Sequence, residues 1–175
     1  MPPLNAGEIA VCDSNFAASA SLKGKSHRID GAHGVLTITG VNVTLQANIT
    51  IWIPTGASDH VIEHEQGHRQ ISEYYYKTAD KVARRIAETY AGREVPIIVS
   101  ESGGDLDGEA SETLAHLAKQ FTADYDRELN PDSAQQLYDT LTDHSRNQTP
   151  VSDAIATAIK DADVAGTRPA ADAAN

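Results

Sequence analysis

Hydrophobic positions along the chain change period between its first and second thirds. The first 30 residues are small and polar without a sustained period, so a short strand around Glu8 to Cys12 and a plain loop are equal readings. From Gly34 the chain becomes β-branched and alternating: Val41, Val43 and Leu45, then Ile49, Ile51 and Ile53, recur at every second position. This predicts two or three antiparallel strands, with Gly40 and Ala47-Asn48 as turns or bulges and Pro54-Thr55-Gly56 as the end of the run.

The period then becomes helical. Ser58 or Asp59 can cap a helix whose inward row is Val61, His64, His68, Ile71, Tyr75, Ala79, Val82, Ile86 and Tyr90. One helix of about eight turns, closed by Gly92, is expected. Glu94 to Ser100 suits a strand or an extended connector, and the following Gly- and Asp-rich stretch a loop. A second helix is expected from Ala110 to Leu129, with Leu114, Leu117, Phe121 and Tyr125 on one face. Asn130-Pro131 breaks it, a short helix restarts at Asp132 or Ser133, and one more amphipathic segment precedes a frayed tail. Strands followed by helices predict an α+β fold, with a small antiparallel sheet on one long helix and a second helical layer. The chain divides into an N-terminal segment (1–33), a central domain (34–148) and a short helix with a tail (149–175).

Composition narrows the partners. In 175 residues, 14 Lys and Arg face 25 Asp and Glu, a formal charge of −11 that disfavours nucleic acid and anionic membranes. No apolar run approaches the roughly 18 residues of a membrane helix, so no membrane insertion is expected. Cys12 is the only cysteine, which excludes an intramolecular disulfide and a cysteine-based zinc site. The first residues lack secretory-signal features, which suits a cytoplasmic protein as written, or a periplasmic or secreted one after signal removal.

The chemistry concentrates in His64-Glu65-Gln66-Gly67-His68. Residues four apart on a helix lie about 40° apart, so both imidazoles can converge on one ion. Glu65 sits about 100° round from His64, beside the ion and not on it. That arrangement suits hydrolysis, with zinc activating water and the carboxylate taking its proton. His60 shares the face but lies roughly 12 Å of axial rise from His68, too far to join it on one tetrahedral ion. Gly67 inside the motif costs about 1 kcal/mol relative to Ala, which a close-packed neighbour would explain. The competing reading is a chance motif whose histidines are hydrogen-bonded core residues.

Candidates for a third ligand are Glu73, His116, Asp139, Asp143 and His144. Glu73 faces away on the same helix, and His116 suits a satisfied or half-exposed histidine on the second helix. Tyr138-Asp139, Thr142 and His144, together with the His64-Glu65-Gln66-Gly67-His68 helix and Ile71, resemble the bacterial DUF922 family of predicted zinc-dependent proteases. The resemblance covers about Val41 to Gln148, and Ser145 stands where that family usually has glycine.

It implies a minimal zincin acting on peptide or protein substrates, with Zn2+ on His64 and His68, Glu65 as base, and the Tyr138 to His144 segment completing the site. Within that segment His144, at a helix end, is favoured as the third ligand, with Asp139 orienting an imidazole or itself taking the position. Tyr138 could donate to a developing oxyanion or simply be packed. The alternative from another class is a non-catalytic module, zinc-stabilised or metal-free, that binds a protein partner.

Overall fold

A computed structural model of the chain describes residues 9–99 and 104–164, and shows an α+β fold. Its three-stranded antiparallel sheet has the order β1-β2-β3. Strand β1 is Val11–Arg28, β2 is His33–Trp52 and β3 is Glu94–Ile98. Five helices occur among the described residues: α1 Asp59–Tyr76, α2 Ala79–Tyr90, α3 Leu106–Glu128, α4 Asp132–Thr142 and α5 Val151–Val164. None of them is long and apolar enough to cross a membrane. The expected tail from 165 onward, and Glu8 of the short N-terminal strand, lie outside the described residues.

The start of the chain differs most from expectation. Where an unpatterned segment was predicted, β1 runs for 18 residues. Its inward row includes Phe16, Ala18, Ala20 and Leu22, with Ala18 and Leu22 buried. Alternation is present, but alanine and serine give it little hydropathic contrast. Strand β2 is likewise one 20-residue strand in place of two or three. Gly40 is not among the residues with positive φ, so the strand passes through it without a turn. The β1–β2 link is closed by Asp30, whose Oδ1 accepts from the backbone N–H groups of Ala32 and His33 at 2.8 Å each. β3 pairs antiparallel with the start of β2, from His33 opposite Ile98 to Thr37 opposite Glu94.

The long helix is interrupted at Lys77-Thr78. The Thr78 N–H and hydroxyl both donate to the Tyr75 carbonyl, at 3.1 and 2.9 Å. That carbonyl is the acceptor Ala79 would use in a continuous helix. The inward row predicted across this break is nevertheless buried in both helices: Val61, Ile71 and Tyr75 in α1, Ala79, Val82, Ile86 and Tyr90 in α2. Ser58 caps α1, its hydroxyl accepting from the Val61 N–H at 3.4 Å.

The chain forms two compact units. One comprises the described residues up to Phe16, Gln46–Ala79, and those from Glu128 on. Its core joins Ile71 and Tyr75 of α1, Ala134 and Tyr138 of α4, and Ala154, Ala158 and Ala162 of α5. The alanines, four apart, give α5 a smooth stripe for close packing. Helix α5, expected as an appendage beyond the central domain, is therefore part of this core. The other unit comprises Ala17–Leu45 and Asp80–Arg127, and packs Leu36 and Ile97 of the sheet against Ala110 of α3.

Candidate metal centre

Helices α1 and α4 build the site within the first unit. On α1, the i, i+4 spacing puts His64 and His68 on one face. On α4, the same spacing puts Gln135 and Asp139 on the facing side. The donor atoms converge: His64 Nε2 to His68 Nε2 is 3.1 Å, His68 Nε2 to Asp139 Oδ1 is 3.0 Å, and His64 Nε2 to Asp139 Oδ1 is 3.3 Å. Among the described residues, His64, His68 and Asp139 are the group of side chains able to hold a metal ion together.

Tyr138 explains how the two helices come so close. Its fully buried ring stacks on the His64 imidazole at a centroid distance of 5.0 Å and meets His68 edge-on at 4.9 Å. A Cβ on Gly67 would collide with the Tyr138 hydroxyl and ring, so the glycine within the motif makes room for that ring. The hydroxyl donates to the His64 carbonyl at 3.2 Å. Burial, followed by the charges of Asp139 and Glu65, pushes the phenol well above its ordinary value. Of the two readings of Tyr138, oxyanion donor or packed ring, the structure has the packed ring, with its hydroxyl engaged by the backbone of α1.

The remaining candidates separate by position. Glu65 is buried and lines the same cavity as His64, His68 and Asp139, a space of about 270 Å³. His144 also lines it, but its Nδ1 lies 3.4 Å from Asp139 Oδ1 and its side chain is 41% exposed, against 6% for His64. Asp139, expected chiefly as an orienting group, stands inside the donor triangle, and His144 stands outside it. The reason is local: α4 carries Asp139 on its inward face, whereas His144 follows the helix end in a left-handed turn, with φ of 47°, 49° and 67° at Asp143, His144 and Ser145.

His60 is bound elsewhere, its Nε2 donating to the Asn147 carbonyl at 2.9 Å. Glu73 pairs with Arg69 at 2.7 Å, Asp143 lies 3.9 Å from Arg146, and His116 contacts Gln120 on α3 at 3.0 Å. Residues absent from the sequence-based set also enter the site, Cys12 and Gln135 among them. Cys12 of β1 lines the cavity, and burial, with Glu65 and Asp13 adding to it, pushes its thiol up to about 12. Gln135 faces His68 Nδ1 at 2.6 Å; its position four residues before Asp139 was the available signal.

The donor set fits a zinc ion. Bonds of about 2.0–2.1 Å at tetrahedral angles place neighbouring donor atoms about 3.3–3.4 Å apart, close to the edges of this triangle. Electrostatics agree, because Asp139 Oδ1 has three imidazole nitrogens within 3.4 Å, from His64, His68 and His144. Burial alone would raise the Asp139 carboxyl, but hydrogen bonds from His64 and His68 outweigh it and hold the group well below the usual carboxylate range. An anionic oxygen and two imidazole nitrogens in so small a space call for a cation between them, either protons or a metal. Comparison with known families, curated proteins and solved structures finds no match, so the resemblance to the DUF922 family rests on the motif residues alone.

Proposed function

We propose that this chain is a zinc-dependent hydrolase of peptide bonds with a minimal zincin-like site, in which His64, His68 and Asp139 hold the ion and Glu65 is the general base. The observation that carries this reading is the triangle of three donor atoms, 3.0–3.3 Å on a side, with a buried glutamate one residue along the motif helix. A zinc ion held by His64, His68 and Asp139 would supply Lewis acidity and lower the pKa of a water molecule to about 7.

The chain's own groups supply the rest. Glu65 takes the proton of the attacking water and returns it to the departing nitrogen. Tyr138 fixes both imidazoles by stacking and edge contact, so the ligands need little rearrangement. His144, exposed at the rim, is left for contact with substrate and is not required to hold the ion.

A peptide substrate is supported by the cavity's other wall. Five consecutive residues, Ala10, Val11, Cys12, Asp13 and Ser14, line it. Alternate side chains of a strand point to opposite faces, so consecutive residues share a cavity where the strand presents its edge. β1 is an edge strand of the sheet and could pair with an extended peptide.

The deciding experiment uses untagged protein. Zinc stoichiometry by atomic absorption should be one per chain, and casein should be cleaved. Glu65→Gln should retain the zinc and lose the cleavage, because the amide fills the same volume and cannot accept the proton. Equal cleavage by both proteins would remove Glu65 from its role. Zinc retention without cleavage of any member of a broad peptide library would favour a zinc-stabilised binding module.

A further inference from the structure

We infer that Gln135 is a positioning residue for the metal, keeping a proton on His68 Nδ1 so that Nε2 is the nitrogen left for an ion shared with His64 and Asp139. The inference rests on the metal-site reading above. It starts from the two ends of the Gln135 amide. The nitrogen donates to the His68 carbonyl at 3.1 Å and to Ser72 Oγ at 2.9 Å. A carbonyl can only accept, so the end facing it must be the NH2 group. The other end is then the oxygen, and it lies 2.6 Å from His68 Nδ1. An amide oxygen can only accept, so Nδ1 carries the proton.

Ser72 reinforces the orientation. Its hydroxyl donates to the same His68 carbonyl at 3.1 Å and accepts from Gln135, and the residue is fully buried. Flipping the amide would set its oxygen against the His68 carbonyl, two acceptors facing one another with no hydrogen between them. The side chain has one satisfactory orientation, and with it the His68 ring has one tautomer.

Metal-ligating histidines commonly donate their remaining N–H to an acceptor, and removing that acceptor typically lowers metal affinity 10–100-fold. Here the acceptor is neutral. It directs the ring without adding a second anion behind it, and Asp139 remains the anionic ligand. Helix α4 therefore contributes twice to the centre through one i, i+4 pair: Asp139 to the ion, Gln135 to the geometry of the opposing ligand.

The test compares Gln135→Met with Gln135→Glu. Both variants lose the NH2 donors to His68 and Ser72, so a purely structural role predicts equal losses in both. Glutamate keeps an acceptor for Nδ1–H, and methionine keeps only the length. Zinc affinity by competition with a chromophoric chelator should fall about 10–100-fold in Gln135→Met and stay within a few-fold of wild type in Gln135→Glu. In the zinc-loaded, 15N-labelled protein, the His68 Nδ1–H signal should be protected from exchange in wild type and Gln135→Glu, and lost in Gln135→Met. Zinc held equally by wild type and Gln135→Met, or weakened equally in both variants, overturns the inference. Tight zinc without hydrolysis would sink the proposed activity and leave the role of Gln135 standing.

Discussion

Gly67 on α1 and Tyr138 on α4 occupy one another's space: the tyrosine hydroxyl and ring lie where any β-carbon on residue 67 would be. The motif's glycine and the second segment's tyrosine are therefore one structural device. Gly67→Ala should destabilise the fold despite gaining about 1 kcal/mol of helix propensity, because overpacking a core contact typically costs about 1–3 kcal/mol. Zinc affinity should fall with it, since Tyr138 carries both imidazoles. Adding Tyr138→Phe removes the nearest clashing atom and should restore part of the loss in urea melts. An alanine variant as stable as wild type would show that the two helices can move apart freely.

The ligand assignment orders five variants. His64→Ala and His68→Ala should abolish zinc binding, and Asp139→Asn should weaken it by orders of magnitude, because each removes one corner of the triangle. His144→Ala should cost far less. His60→Ala should leave affinity nearly unchanged, since that ring is committed to the Asn147 carbonyl. Chelator titration ranks them directly, and a greater loss in His144→Ala than in Asp139→Asn would restore His144 as the third ligand.

Acid and metal compete for the same nitrogen. In the metal-free protein His68 titrates above its ordinary 6.5, burial opposing the charge but the hydrogen bond and charge of Asp139 outweighing it. A raised folded pKa contributes stability that is fully present below pH 6.5 and lost as pH rises through the folded value. The lowered carboxyl of Asp139 contributes above 3.8 and is lost as pH falls through its own folded value. Metal-free protein should thus gain most from this pair between those limits, as denaturant melts across pH would read. Zinc affinity should show the opposite slope near neutrality, strengthening between about pH 6 and 8 with proton release detectable by calorimetry. A flat affinity over that range would remove His68 from the ligand set.

The turn after α4 offers a gain in stability. Asp143, His144 and Ser145 hold φ of 47°, 49° and 67° in succession, where side chains are disfavoured. Ser145→Gly should stabilise the protein by up to about 1 kcal/mol, seen as a higher urea midpoint, with zinc affinity unchanged. Unchanged or lower stability would mean that the turn is supported by contacts that the serine makes.

The motif helix is legible because His64, Glu65 and His68 stand at a fixed helical spacing that any straight helix realises. The inward row from Val61 to Tyr90 was legible for the same reason, and its burial survives a break that the periodicity could not reveal. That break depends on one threonine competing for one carbonyl. Strand β1 is not legible, because Ala18 and Ala20 fill inward positions with too little hydropathic contrast. The choice between Asp139 and His144 was beyond sequence spacing, because it depends on α4 ending in a left-handed turn before His144. Gln135 carries no sequence signal of its own, because its chemistry comes from the three partners the fold assigns to it.

His68 and Asp139 are 71 positions apart in the chain, and they meet across two helices. The chain's single cysteine can form no internal disulfide, so an ion shared by α1 and α4 would be its strongest cross-link. A cross-link closing a loop of that size restricts the unfolded ensemble by about 4 kcal/mol in the chain-entropy description. Chelation would then leave α4 and the alanine stripe of α5 held on α1 by the apolar core alone, and should speed proteolysis of the C-terminal helices.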